Sequence, residues 1–211
     1  MTTLIIIAKE TLPGRVKTRL HPALSLDAAA EVAAASVADT LAVAISLDVE
    51  RRILLFDGVT PPPGSDLFEI VPQVAGSLDE RLAAIFDAVT GRTVLVGMDT
   101  PQLTREHLAP VLDTAADIDA WFGPARDGGF WAIGMQQPRG DLIRGVPMSR
   151  DDTGAIQLSR LHAAGLRVKI LPTLTDVDTI ETAREVAAAA PDTRFAACLA
   201  HSDALLEGIP A

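Results

Sequence analysis

A chain of 211 residues and 22.2 kDa has room for one domain with a sizeable core. Apolar residues make up 48% and charged residues 22%, which excludes global disorder. A net charge of −10 excludes a basic surface of the kind that binds nucleic acid by displacing counterions, and a lone cysteine, Cys198, excludes an internal disulfide or a cysteine-based zinc site.

Leu4–Ala8 is a continuous, β-branched apolar run, the pattern of a strand buried on both faces. It is too short for a signal segment or a membrane span, so the expectation is a soluble, cytoplasmic protein without a membrane span. Ser25 caps a predicted helix running to about Ala44, with Val32, Val37, Leu41 and Ile45 among its apolar positions. Arg51–Phe56 reads as a second strand, Pro61-Pro62-Pro63-Gly64 as a surface loop, and strand-like sequence resumes at Leu67. Ser77-Leu78-Asp79-Glu80 has capping-box spacing ahead of Leu82, Ile85, Phe86 and Val89. Thr93–Val96 is the next strand, and Thr104 is placed to cap the helix after it. Ala120–Gly123 and Phe130–Gly134 are short strands flanking Arg126-Asp127-Gly128-Gly129, with no room for a helix between them. Thr153–Ala164 reads as helix, Arg167–Leu171 as strand, Ile180–Ala190 as helix, and Asp192–Glu207 as a closing helix after Pro191. Strands alternating with helices imply an α/β fold, a mostly parallel sheet with helices on both faces. Trp121–Gly134 breaks that rhythm as one antiparallel insertion. No internal repeat is present, and the chain reads as a single domain over residues 1–211.

Four loops at predicted strand ends carry candidate chemistry. The first, Lys9 through Leu20, follows the first strand, where open α/β sheets bind ligands. Gly14 allows close backbone approach, and Arg15, Lys17 and Arg19 supply cations for phosphate. Two of the chain's three lysines, Lys9 and Lys17, lie here. The segment is not a Walker loop, because Val16 precedes Lys17-Thr18. A solvated basic loop is its plainer reading. In the second, Gly97-Met98-Asp99-Thr100-Pro101, Asp99 stands just past a buried strand, where a hard cation needs oxygen ligands. An ordinary turn aspartate gives the same pattern. In the third, Thr175-Asp176-Val177-Asp178-Thr179, the two carboxylates are expected to face opposite ways, so that one, Asp178, reaches the same metal as Asp99. Capping of the following helix is the alternative for both. In the fourth, Gly123 to Trp131, Asp-Gly is a common hairpin turn. Gly128 and Gly129 also suit a loop that lets a bulky substrate lie against backbone, leaving Asp127 to bind a sugar hydroxyl or act as a base. The four histidines show no metal-ligand spacing; His107 and His162 read as helix-surface or packing residues, and Phe130-Trp131 as core.

Together these segments resemble a family of small bacterial glycosyltransferase-A-like proteins, the selenodomain-associated transferase group. That family is related to nucleotidyltransferases acting on molybdopterin and on phospholactate. The resemblance runs from Ala8 to about Glu185. It rests on Ala8-Lys9 with Pro13 through Leu20, on Gly97 to Pro101, on Gly123 to Gly129, and on Asp176 to Thr179. The chain departs from the family pattern at Thr11, where a proline is usual, at Met98, where Ser or Thr is common, and at Asp79, where a glycine is common. The resemblance implies a Rossmann-like GT-A fold that binds a nucleoside diphosphate or triphosphate through Mg²⁺ or Mn²⁺. The expected activity is transfer of a sugar from a nucleotide-diphospho-sugar to an unknown acceptor, with Asp99 and Asp178 as metal ligands. Gly14, Arg15, Lys17 and Arg19 would lie on phosphate, and Asp127 on sugar or acceptor. Release of pyrophosphate from a nucleoside triphosphate, with Lys17 catalytic, is the alternative, and a non-catalytic nucleotide-binding module a second one.

Overall fold

The computed structural model describes residues 1–113 and 117–207. A seven-stranded sheet is built from β1 (Thr2–Lys9), β2 (Arg51–Asp57), β3 (Glu69–Pro72), β4 (Arg92–Gly97), β5 (Ala120–Pro124), β6 (Phe130–Met135) and β7 (Val168–Ile170), in the order β3-β2-β1-β4-β6-β5-β7. β6 runs antiparallel to both its neighbours, β4 and β5, and every other pairing is parallel. The antiparallel insertion expected from Trp121–Gly134 is therefore the β5–β6 hairpin. The helices are α1 (Leu26–Ser46), α2 (Leu78–Ala88), α3 (Arg105–Leu112), α4 (Thr153–Ala163), α5 (Ile180–Ala189) and α6 (Arg194–Glu207).

Alternation along the central strands sorts the core into two layers. Leu4, Ile6 and Ala8 of β1 pack with Leu54, Val94, Val96 and Trp121 beneath Val37 and Leu41 of α1 and Leu108 of α3. Ile5 packs on the opposite side with Ile53, Leu55, Leu95 and Ile133, against Leu82 and Phe86 of α2 and Leu161 of α4. A third cluster joins Ala29 and Val32 of α1 to Val186 of α5 and to Phe195 and Leu199 of α6. α1 lies between the sheet and this helical layer, which explains why apolar residues surround it. By length and composition it would cross a membrane, yet 50% of its most apolar stretch is buried inside the protein.

The caps follow local chemistry. Ser25 Oγ accepts from Ala28 N at 3.1 Å, and Ser77 and Glu80 complete the capping box of α2. At α3 the residue answering Thr104 is His107, whose Nδ1 accepts from Thr104 N at 3.0 Å. Its ring meets Trp131 edge-on at 6.2 Å, and burial lowers its pKa. α6 is capped from another helix: Asp39 of α1 accepts from Arg194 N at 3.1 Å and Phe195 N at 2.9 Å.

Candidate functional site

The carboxyl ends of β1 and β4 open into a cleft of about 390 Å³ lined by Lys9, Asp57, Gln73, Arg81, Asp99, Asp127, Asp176, Asp178 and Arg150. A smaller cavity of about 160 Å³ adjoins it under the first loop, between Lys9, Lys17, Arg19, Asp99 and Asp178.

Backbone pairing brings the acidic residues together. Past β7, Leu174 N donates to Pro124 O at 3.2 Å, and Arg126 N donates to Leu174 O at 3.0 Å. Gln102 Nε2 then holds Thr175 O at 2.7 Å, and Val177 N donates to Asp99 O at 2.9 Å. The segment Thr175–Asp178 is thereby stitched across the end of β4, beside Asp99. Met98, ahead of Asp99, is tied down by Ser36 Oγ of α1, which donates to its carbonyl at 2.6 Å.

Lys17 occupies the meeting point. Its Nζ lies 2.5 Å from Asp99 Oδ1 and 3.5 Å from Asp178 Oδ1, and it donates to Val177 O. Its side chain is only 7% exposed. Arg19 Nη1 lies 3.6 Å from Asp178 Oδ2 at the rim. Asp99 and Asp178 thus converge on one cation, the Lys17 ammonium. Lys9 lines both cavities, and none of the ion pairs of Lys17 or Arg19 involves it.

The expectation that Asp176 and Asp178 face opposite ways is corrected. Side chains of an extended chain alternate with a period of two, so residues i and i+2 share a side, and both carboxylates line the cleft. Asp176 is the more deeply set. Burial, reinforced by the nearby charges of Asp127 and Asp99, pushes its pKa up from 3.8 to about 7, although Lys17 acts the other way.

Asp127 is exposed in the β5–β6 turn and lines the cleft. Its Oδ1 accepts from Gly129 N at 2.8 Å. Gly129 also lines the cleft. Gly128 is glycine for a packing reason: at φ +89°, an added Cβ would collide with the Asp151 carbonyl. Gly14 likewise sits at φ +74° with space around it, so a left-handed turn rather than close approach requires it. Arg15 is exposed and lines neither cavity.

The far wall escaped sequence reasoning. Gln73 Nε2 donates to Ala8 O at 2.9 Å and Leu55 O at 3.2 Å, while Arg81 Nη1 reaches Gln73 Oε1 at 3.1 Å and Asp57 Oδ2 at 3.3 Å. The available signal was the position of Gln73 and Arg81 around Gly76 and the α2 cap. Asp79, a departure from the family pattern, accepts from Gly145 N at 2.6 Å and ties α2 to the loop near Val146. On the opposite rim Ser149 is held at φ 58°, beside Arg150.

An oxygen-only donor set suits Mg²⁺ or Mn²⁺, which need as few as one or two carboxylates when phosphate and water complete the shell. Among the described residues no group of three His, Cys, Asp or Glu is arranged to hold a metal ion. The donor set of Asp99 and Asp178 therefore fits a cation shared with a ligand, not an all-protein cage.

Strand order, the antiparallel hairpin and the cleft define an α/β protein with the nucleotide-diphospho-sugar transferase fold. The chain belongs to the family described as "Uncharacterized protein conserved in bacteria (DUF2064)", which matches residues 29–150. It is similar over 98% of its length, at 26% identity and a TM-score of 0.81, to 96% of a "putative nucleotide-diphospho-sugar transferase" from Desulfovibrio desulfuricans G20. Two further structures share the fold. One is Rv0371C of Mycobacterium tuberculosis H37Rv in complex with manganese, at 22% identity and TM-score 0.53, covering 88% of this chain and 96% of that one. The other is a nucleotidyl transferase from Methanothermobacter, at 13% and 0.54, covering 88% and 95%. No curated protein matches the chain.

Proposed function

We propose that this protein is a cytoplasmic, metal-dependent glycosyltransferase that takes a nucleotide-diphospho-sugar donor, and that residues 1–211 act as one domain; 114–116 and 208–211 lie outside the described residues. The observation that carries the reading is the convergence of Asp99 and Asp178 on one buried cation at the mouth of the sheet, 2.5 and 3.5 Å away. Asp99 and Asp178 would hold Mg²⁺ or Mn²⁺. Such an ion supplies Lewis-acid stabilisation of the charge on a departing diphosphate. Lys9 and Arg19 flank the carboxylates and bind the donor's phosphate oxygens, joined by Lys17 once phosphate is present. Arg15 and Gly14 shape the loop that carries them. The Asp127 oxygen not bonded to Gly129 N orients the sugar or accepts the acceptor's proton, with the Gly128-Gly129 backbone alongside. The wall of Gln73 and Arg81 fixes the carboxyl ends of β1 and β2 against the rest of the donor.

Nucleotidyl transfer is the second reading. It is favoured by the placement of Lys17 and Arg19 directly beside the metal carboxylates, where charge on an attacked phosphate would be neutralised. Nucleotide sugars and nucleoside triphosphates, incubated with Mn²⁺ and acceptor extracts, separate the two. Acceptor-dependent release of nucleoside diphosphate supports glycosyl transfer. Metal-dependent pyrophosphate release replaces it with nucleotidyl transfer, and nucleotide binding without either product supports the non-catalytic module.

A further inference from the structure

We infer that Lys17 is a built-in occupant of the divalent-cation position, so that the protein's own ammonium competes with metal for Asp99 and Asp178. The inference rests on the metal-site reading above and adds to it a property of this chain.

The Lys17 ammonium donates to Val177 O and forms ion pairs with Asp99 Oδ1 at 2.5 Å and Asp178 Oδ1 at 3.5 Å. Those acceptors come from two separate loops that the Val177 N to Asp99 O hydrogen bond of 2.9 Å holds side by side. The backbone is committed to the same end. Lys17 adopts φ 47° and ψ 33°, a left-handed conformation uncommon for a side-chain-bearing residue, and leads into the short 3-10 turn Thr18–Leu20. With 7% side-chain exposure, the ammonium is a fixed part of the site, unlike Arg19, whose side chain is 78% exposed.

A divalent ion and this ammonium cannot both use the site as it stands. Lys17 Nζ is 2.5 Å from Asp99 Oδ1. An ion at the roughly 2.1 Å usual for magnesium from the same oxygen would stand no more than about 4.6 Å from the ammonium. Like charges at that separation in a half-buried corner repel strongly. Metal entry therefore requires Lys17 to leave, and phosphate oxygens are the acceptors that would receive it. Metal and phosphate ligand then reinforce each other, since each removes what opposes the other.

The test titrates Mn²⁺ alone, with no nucleotide, into the full-length wild type and Lys17→Met, following the free-ion signal by electron paramagnetic resonance. Lys17→Met should bind Mn²⁺ at least tenfold more tightly than wild type, and adding Asp99→Asn should abolish the gain. Lys17→Gln, which keeps a hydrogen-bond donor for Val177 O, is the companion variant should the methionine unsettle the loops. Affinity equal to or weaker than wild type in the folded variant overturns the inference while leaving the metal site standing. Absence of Mn²⁺ binding in wild type and in both Lys17 variants overturns the inference, and the same absence after a nucleoside diphosphate is added overturns the metal site as well.

Discussion

Asp176→Asn should stabilise the ligand-free protein, an unusual direction for a substitution in a cleft. The carboxyl is largely buried among Asp127, Asp99 and Asp178, and its pKa rises from 3.8 to about 7. Below about pH 4 it is protonated in both the folded and the unfolded chain, and wild type and variant should be equally stable. Between pH 4 and 7 the unfolded chain gives up its proton first, so wild-type stability falls as pH rises. Above pH 7 the carboxylate is charged in both states and the deficit is complete. At about 1.4 kcal/mol for each pH unit between the two values, the ceiling is about 4 kcal/mol. Asparagine keeps the shape and removes the charge, so a gain of about 2–4 kcal/mol at pH 8 is expected. Urea denaturation of both proteins from pH 4 to pH 8 measures it. A stability difference that does not change with pH would refute the assignment of Asp176 as the carboxylate that holds its proton.

Gly128→Ala should destabilise by about 2 kcal/mol or more, because the residue sits at φ +89° and its Cβ would meet the Asp151 backbone; the urea midpoint reads this directly. Asp39→Ala should cost about 1–3 kcal/mol by leaving the Arg194 and Phe195 amides without their acceptor. Faster hydrogen exchange confined to the first turn of α6 would accompany it, and unchanged exchange there would mean the cap is dispensable. Asp99→Asn should keep the fold and lose Mn²⁺-dependent nucleotide binding in calorimetry; undiminished affinity would reduce Asp99 to a turn residue.

Much of the architecture was legible because it is written locally. Ser25, Ser77 and Thr104 mark helix starts by chemistry that reaches no further than three residues. The missing helix between β5 and β6 exposes the antiparallel hairpin through loop length alone. The strand-end rule brought attention to Asp99, Lys17, Arg19, Asp127 and Asp178, all of which line the two cavities at the carboxyl edge. What the sequence withheld depends on tertiary pairing. Lys17 looks like a phosphate ligand until the loop after β7 is seen delivering Val177 and Asp178 to its ammonium, across a separation of 160 residues. Gln73 and Arg81 carry no motif of their own and gain a role only by bonding to the ends of β1 and β2. Arg15 shares the composition of the first loop but turns to solvent, because Gly14 bends the chain before it.

The charge of the cleft gives a reason for cation dependence that does not rest on likeness to other proteins. Asp99, Asp127, Asp176 and Asp178 face one space, and the cation held among them is Lys17. The protein as a whole carries −10, and Lys9, Arg81 and Arg150 are the other cationic side chains that line this cleft. The raised pKa of Asp176, set first by burial, carries the same imbalance, since Asp127, Asp99 and Asp178 push it further up than Lys17 alone can offset. A nucleotide diphosphate entering this corner alone would add anions to an anionic surface. Its binding becomes favourable only when positive charge arrives with it or is released to it. Lys9 and Arg19 supply part of that charge from the rim, and Lys17 can supply more only by abandoning Asp99 and Asp178. Those two carboxylates then need a replacement, and a divalent ion that also takes phosphate oxygens satisfies both demands at once.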